Sequence, residues 1–173
     1  LRTMHINRGN RTIPLQYLDR LDFYMFQPGH NYEGQPEAWR LPQDFIANYP
    51  KKPMVNSEPC YEQMGASRNV YWRFTAQDCR ASVWSSILAG ASAGVTYGAH
   101  GVWNWQTSKS QGSVLGEGFD MPFRWQECLQ FAGVWDFGAI EHVLAGLGAT
   151  AGDDALAVVP AQELLDDARD AIR

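Results

Sequence analysis

Four short stretches concentrate the side chains able to do chemistry: His5-Ile6-Asn7, Gln27-Pro28-Gly29-His30, Asn56 to Glu62, and Tyr97 to Trp105. Glu58 is the sharpest candidate among them. It follows the run Pro53-Met54-Val55-Asn56-Ser57 and precedes Pro59, which keeps its backbone extended and sets the carboxylate at a strand end rather than on a solvated helix face. A carboxylate in that place can attack the anomeric carbon of a sugar and form a covalent glycosyl-enzyme, dividing one difficult displacement into two easier ones. The competing reading of Glu58 is a structural ion pair. Glu62, four residues on, is a second acid or a hydrogen-bonding support, although an exposed loop charge describes it better.

The histidines add to this pattern. His5, His30 and His100 all fall at expected strand ends, whereas His142 sits in a helical stretch and reads as structural. Three such imidazoles with a carboxylate also suit a metal-dependent barrel hydrolase, but neither an H-x-H nor an H-E-x-x-H pair is present. No metal or cofactor is therefore assigned. Trp103, Trp105, Tyr61, Tyr97 and Tyr24 offer flat apolar faces for the C–H side of a sugar ring, and Gln27, His and Asn groups offer bonds to its hydroxyls. Trp39, Trp72 and Trp84 read as packing residues. A non-catalytic carbohydrate-binding scaffold would keep the same groove without the chemistry.

The elements that must position these groups are short apolar strands at about Thr3 to Asn7, Asp22 to Gln27, Met54 to Ser57 and Val95 to Gly98. None alternates over a long polar stretch, as expected of strands buried on both faces. Helical stretches lie between them. Ala76 to about Ala91 has Thr75 as N-cap, Asp78 in its first turn, and Cys79, Val83, Ile87 and Ala91 as a core stripe. Pro36 to Ala47 is stopped by Tyr49-Pro50, and Leu15 to Arg20, Phe123 to Phe131 and Ala139 to Leu147 complete the set. Strands joined by such long crossovers run parallel, so the chain is α/β, built of four βα units. A complete eightfold barrel takes ~200 residues or more, so 173 residues make a small open domain or about half a barrel.

Composition excludes other classes. With 45% hydrophobic residues the chain can bury a core, and a net charge of −5 without a basic block argues against nucleic acid. No apolar run reaches the ~20 residues that span a bilayer, so no membrane partner is expected. Cys60, Cys79 and Cys128 have neither disulfide-framework nor zinc-ligand spacing and read as free thiols.

The segments Met25 to His30, Lys52 to Glu62, and Leu88 to Trp103 resemble the apiosidase-like family of glycoside hydrolases, glycoside hydrolase family 140 and its relatives. The resemblance covers roughly Leu1 to Leu147. It implies a (β/α)₈ TIM barrel to which this chain supplies about the last four β/α units: residues 1–150 as the carboxyl-terminal half of the catalytic barrel, and 151–173 as a linker or the start of a β-sandwich. It further implies hydrolysis with retention on a plant or microbial polysaccharide side chain, with Glu58 as nucleophile at the seventh strand. The substrate contacts would be His5, Gln27, His30, Tyr61, Tyr97, His100, Trp103 and Trp105. The acid/base would lie upstream of Leu1. Glu33, Glu62 and Glu117 do not match its position, so the expected partners are a carbohydrate and the amino-terminal half of the barrel, or a complementary chain. The family favours a secreted or periplasmic location over a cytoplasmic one.

Overall fold

The computed structural model describes residues 1–67, 72–108 and 119–146. The expected tail at 151–173 and Glu117 lie outside them. Strands β1 (Tyr24–Phe26), β2 (Met54–Asn56) and β3 (Gly94–Val95) form one parallel sheet in the order β1-β2-β3. Helix α1 (Glu37–Asn48) crosses from β1 to β2, and α2 (Ala76–Leu88) from β2 to β3. Beyond the sheet come α3 (Trp125–Cys128) and α4 (Ala132–Gly146), with a break at 129–131 inside the stretch expected to be one helix.

The local signals explain these bounds. Thr75 and Asp78 close a reciprocal capping box: Asp78 N–H donates to Thr75 Oγ1 at 3.3 Å, and Thr75 N–H donates to the Asp78 carboxylate at 2.8 Å. The stripe Cys79, Val83, Ile87 and Ala91 is buried throughout, with Ala91 just past the helix end. Helix α1 ends where Tyr49 turns to φ −130° ahead of Pro50. Leu15–Arg20 winds as a 3₁₀ helix with no fully buried residue, and only Leu18 packs against the core.

One expected strand is corrected. Residues 1–8 form no ladder, although they run beside β1: Asp22 N–H donates to Arg2 O at 2.8 Å and Gly9 N–H to Gln27 O at 3.0 Å. Between those two bonds, side chains take the backbone groups a ladder would use. Thr3 Oγ1 donates to Phe23 O, and Gln27 Nε2 donates to Ile6 O at 2.7 Å.

The main core lies between β1, β2 and α1, where Tyr24, Phe26, Leu41, Phe45 and Met54 meet Ile6, Ile13 and Leu21. Tyr24 and Phe26 both set their rings edge to face against Phe45, at 5.9 and 6.4 Å. A second cluster of Cys60, Met64, Ala66, Phe74 and Cys79 supports the loop after β2, and all three cysteines are free and buried. Among the described residues, no helix is long and apolar enough to cross a membrane.

Candidate active site

Strand β2 carries Glu58 two residues past its last ladder position. The anchor beneath it is Asn56, a polar residue with 0% exposure inside an apolar strand. Its Oδ1 accepts from Glu58 N–H at 3.2 Å, and its Nδ2 donates to Ser86 Oγ at 2.8 Å. Ser86 Oγ lies 2.9 Å from Ala38 O, a carbonyl without its usual helix partner because Pro42, four residues on in α1, has no N–H. A buried relay thus ties both helices to the backbone of Glu58. Sequence reasoning placed Asn56 at the strand end but missed its anchoring role and left out Ser86; the available signal was an asparagine facing the interior of a buried strand.

Glu58 meets an imidazole at each oxygen. His30 Nε2 donates to Oε1 at 2.6 Å, and His5 Nε2 stands 3.3 Å from Oε2. Burial by itself would raise the carboxyl pKa. The His30 hydrogen bond, with positive charge on His30 and His5, outweighs it and holds the group below its usual value. The side chain is 24% exposed, and the His5 side is the open one, since His5 is 47% exposed against 14% for His30. The Tyr61 ring lies 4.1 Å from the His30 ring, and burial and the Glu58 charge push its hydroxyl up to about 12. Glu58 is thus a partly exposed, ionised carboxylate with one oxygen clamped and the other facing outward.

Of the residues read from the sequence, His5, His30, Tyr61 and Glu58 come together. Gln27 instead donates an amide N–H to Ile6 O at 2.7 Å. His100 is buried, and both its nitrogens are engaged: Nε2 donates to Asp120 O at 2.9 Å, and Nδ1 accepts from Trp103 Nε1 at 3.2 Å. It therefore brings no free nitrogen to a three-histidine metal site. Trp103 runs nearly parallel to the His100 ring at 6.2 Å, and Trp105, at φ 50°, stacks on Trp125 at 4.8 Å; Trp103 and Trp105 are 40% and 60% exposed.

Glu62 corrects an expectation: it is 4% exposed, not a loop charge. Its Oε2 accepts from Tyr97 O–H at 2.6 Å and from Gly133 N–H at 2.9 Å, fastening α4 to the rim. Burial first, then the bond to Glu62, raises the Tyr97 pKa far above its ordinary value. Tyr97 and Glu62 thus serve a buried clamp.

Two solved structures are similar to this chain in fold. One is a glycoside hydrolase with 22% identity and a TM-score of 0.65, aligned over 83% of this chain and 35% of its own. The other is a glycoside hydrolase family 5 protein from Bacteroides vulgatus ATCC 8482 with 26% identity and a TM-score of 0.66, aligned over 82% of this chain and 32% of its own. The chain spans about a third of the length of these structures. Among curated proteins no relative is found. The profile of the family described as Apiosidase-like, catalytic domain matches residues 1–150, and with most of its length inside that match the chain belongs to this family.

Proposed function

We propose that this chain is part of a retaining glycoside hydrolase acting on a polysaccharide side chain, with Glu58 as its nucleophile. The observation that carries the reading is the state of Glu58: ionised, two residues past a parallel strand, with Oε1 held by His30 and Oε2 turned toward the open side. Family membership and the resemblance to glycoside hydrolases support the reaction class. In this reading Oε2 bonds to the anomeric carbon as the bond to the leaving oxygen breaks. That oxygen takes a proton from an acid, and the same acid, now a base, later activates the water that releases the sugar. His30 orients the nucleophile, Tyr61 packs on His30, and Trp103 and Trp105 present apolar faces to the sugar.

The acid/base should stand ~5 to 5.5 Å from the nucleophile. Glu62 is committed to Tyr97 and Gly133, and Glu33 lies in an exposed turn bonded to Asn31. We assign the acid/base to another part of a (β/α)₈ barrel, of which this chain gives the last four units, residues 1–8 standing where the first of their strands would be. An amino-terminal half or a complementary chain is the implied partner.

In a polypeptide carrying the whole barrel, Glu58→Gln should cut turnover by roughly a thousandfold or more while substrate still binds, because the amide keeps the shape but not the attacking charge. A fluorinated glycoside should trap a glycosyl-enzyme whose label maps to Glu58. A label on another residue, or ordinary turnover by the variant, refutes the assignment.

A further inference from the structure

Large aromatic rings are buried where a core can take them, so two that stay exposed side by side on separate loops call for a ligand. Tyr32 opens the 3₁₀ turn Tyr32–Gly34 after β1, and Trp72 begins the returning arm of a short hairpin, 64–66 against 72–74, after β2. They are 63% and 37% exposed and meet edge to face at 5.7 Å and 77°. Their backbones share one support: Tyr32 N–H donates to Ala66 O at 2.6 Å, and Ala66 N–H donates to Trp72 O at 2.8 Å. Ala66 itself is 0% exposed, and the fully buried Phe74 backs the indole at 5.4 Å. The turn is tight as well, since a β-carbon on Gly34 would come within 2.6 Å of Pro28 O.

This pair lies on the same two loops that carry the candidate active site. Tyr32 is two residues past His30, which holds Glu58, and the hairpin follows Glu58 itself. We propose that Tyr32 and Trp72, whose rings stand nearly at right angles, form a two-sided platform in which one ring stacks the C–H face of a second sugar ring and the other walls its edge, in an oligosaccharide whose scissile bond lies at Glu58. The platform rests on the glycosidase reading for its place in the substrate. The ligand class follows from the surface: flat, apolar rings beside the exposed Asn31–Glu33 pair of the same turn suit a saccharide, which has an apolar face and a hydroxyl edge. Trp72 is thus a binding residue rather than the packing residue its sequence context suggests.

The test is calorimetric titration of the 173-residue chain, checked for folding by circular dichroism, with hexasaccharides released from a plant polysaccharide and with the methyl glycosides of their sugars as a single-ring control. Trp72→Ala and Tyr32→Ala should each weaken the hexasaccharide about tenfold, as expected for losing one aromatic anchor, and leave the single ring within about twofold. Trp72→Phe, which keeps a ring, should stay within about threefold of wild type. Should Trp72→Ala fail to fold, Tyr32→Ala and Trp72→Phe decide the matter. Unchanged hexasaccharide binding in Tyr32→Ala, equal losses on both ligands, or no hexasaccharide binding by the folded wild type overturns the platform. Aromatic-dependent binding alongside a complete barrel that releases no sugar would keep the platform and overturn the glycosidase reading instead.

Discussion

Replacing Asn56 by alanine tests the buried relay that sets the backbone of Glu58. The substitution removes two hydrogen bonds, to Glu58 N–H and to Ser86 Oγ. Each is worth about 1 kcal/mol net, and a buried donor left without a partner costs a further ~1–3 kcal/mol. Ser86 can still donate to Ala38 or Ser82, so only the Glu58 N–H loses its acceptor, and the sum is about 3–5 kcal/mol. At this chain length each kcal/mol moves the midpoint by roughly 2–4 °C, so Tm should fall by about 6–20 °C. Thermal and urea unfolding followed by circular dichroism would measure it. Ser86→Ala should also be costly, because it strands the Asn56 amide and the Ala38 carbonyl, and the double variant should lose less than the sum of the two single losses. A loss under about 1 kcal/mol for Asn56→Ala, or additivity within ~0.5 kcal/mol in the cycle, would refute the relay.

Two further outcomes follow from the rim. Burial, with the nearby Arg73 charge, holds His100 below its ordinary pKa of 6.5 against the opposing bond to Asp120, and Trp103 Nε1 already donates to the nitrogen a second proton would need. The unfolded chain therefore binds that proton more readily, and stability should fall as pH drops below 6.5 toward the folded value. Glu58 acts lower down: its depressed pKa gives a contribution present above 4.5 and lost as pH falls through the folded value. In denaturant titrations across pH, His100→Gln should flatten the upper step and leave the lower one; an unchanged upper step would exclude His100 as its source. Gly98→Ala would drive a β-carbon into the Tyr61 ring, which packs on His30. In a whole barrel it should lower kcat at least about tenfold with the fold retained, and wild-type kinetics would show that the Tyr61–His30 contact does not position Glu58.

What could be read from the sequence is what short stretches encode by themselves. The βα order, the Thr75 cap, the Tyr49-Pro50 stop and the extended placement of Glu58 before Pro59 each depend on residues within a turn or two. The gathering of His5 and His30 near Glu58 was legible for the same reason, since parallel strands deliver their ends to one rim. The partners were not legible. Glu62 lies four residues from Glu58 and has the same chemistry, yet Gly133 arrives from α4, 71 positions away, and turns it into a buried clamp. His100 looks like a ligand until Asp120 and Trp103 occupy both its nitrogens, and Thr3 to Asn7 looks like a strand until side chains take the bonds of its ladder. Element type follows from local backbone preference and hydrophobic period, whereas the role of a polar side chain depends on which distant donor or acceptor reaches it first, and that is set only when the elements pack.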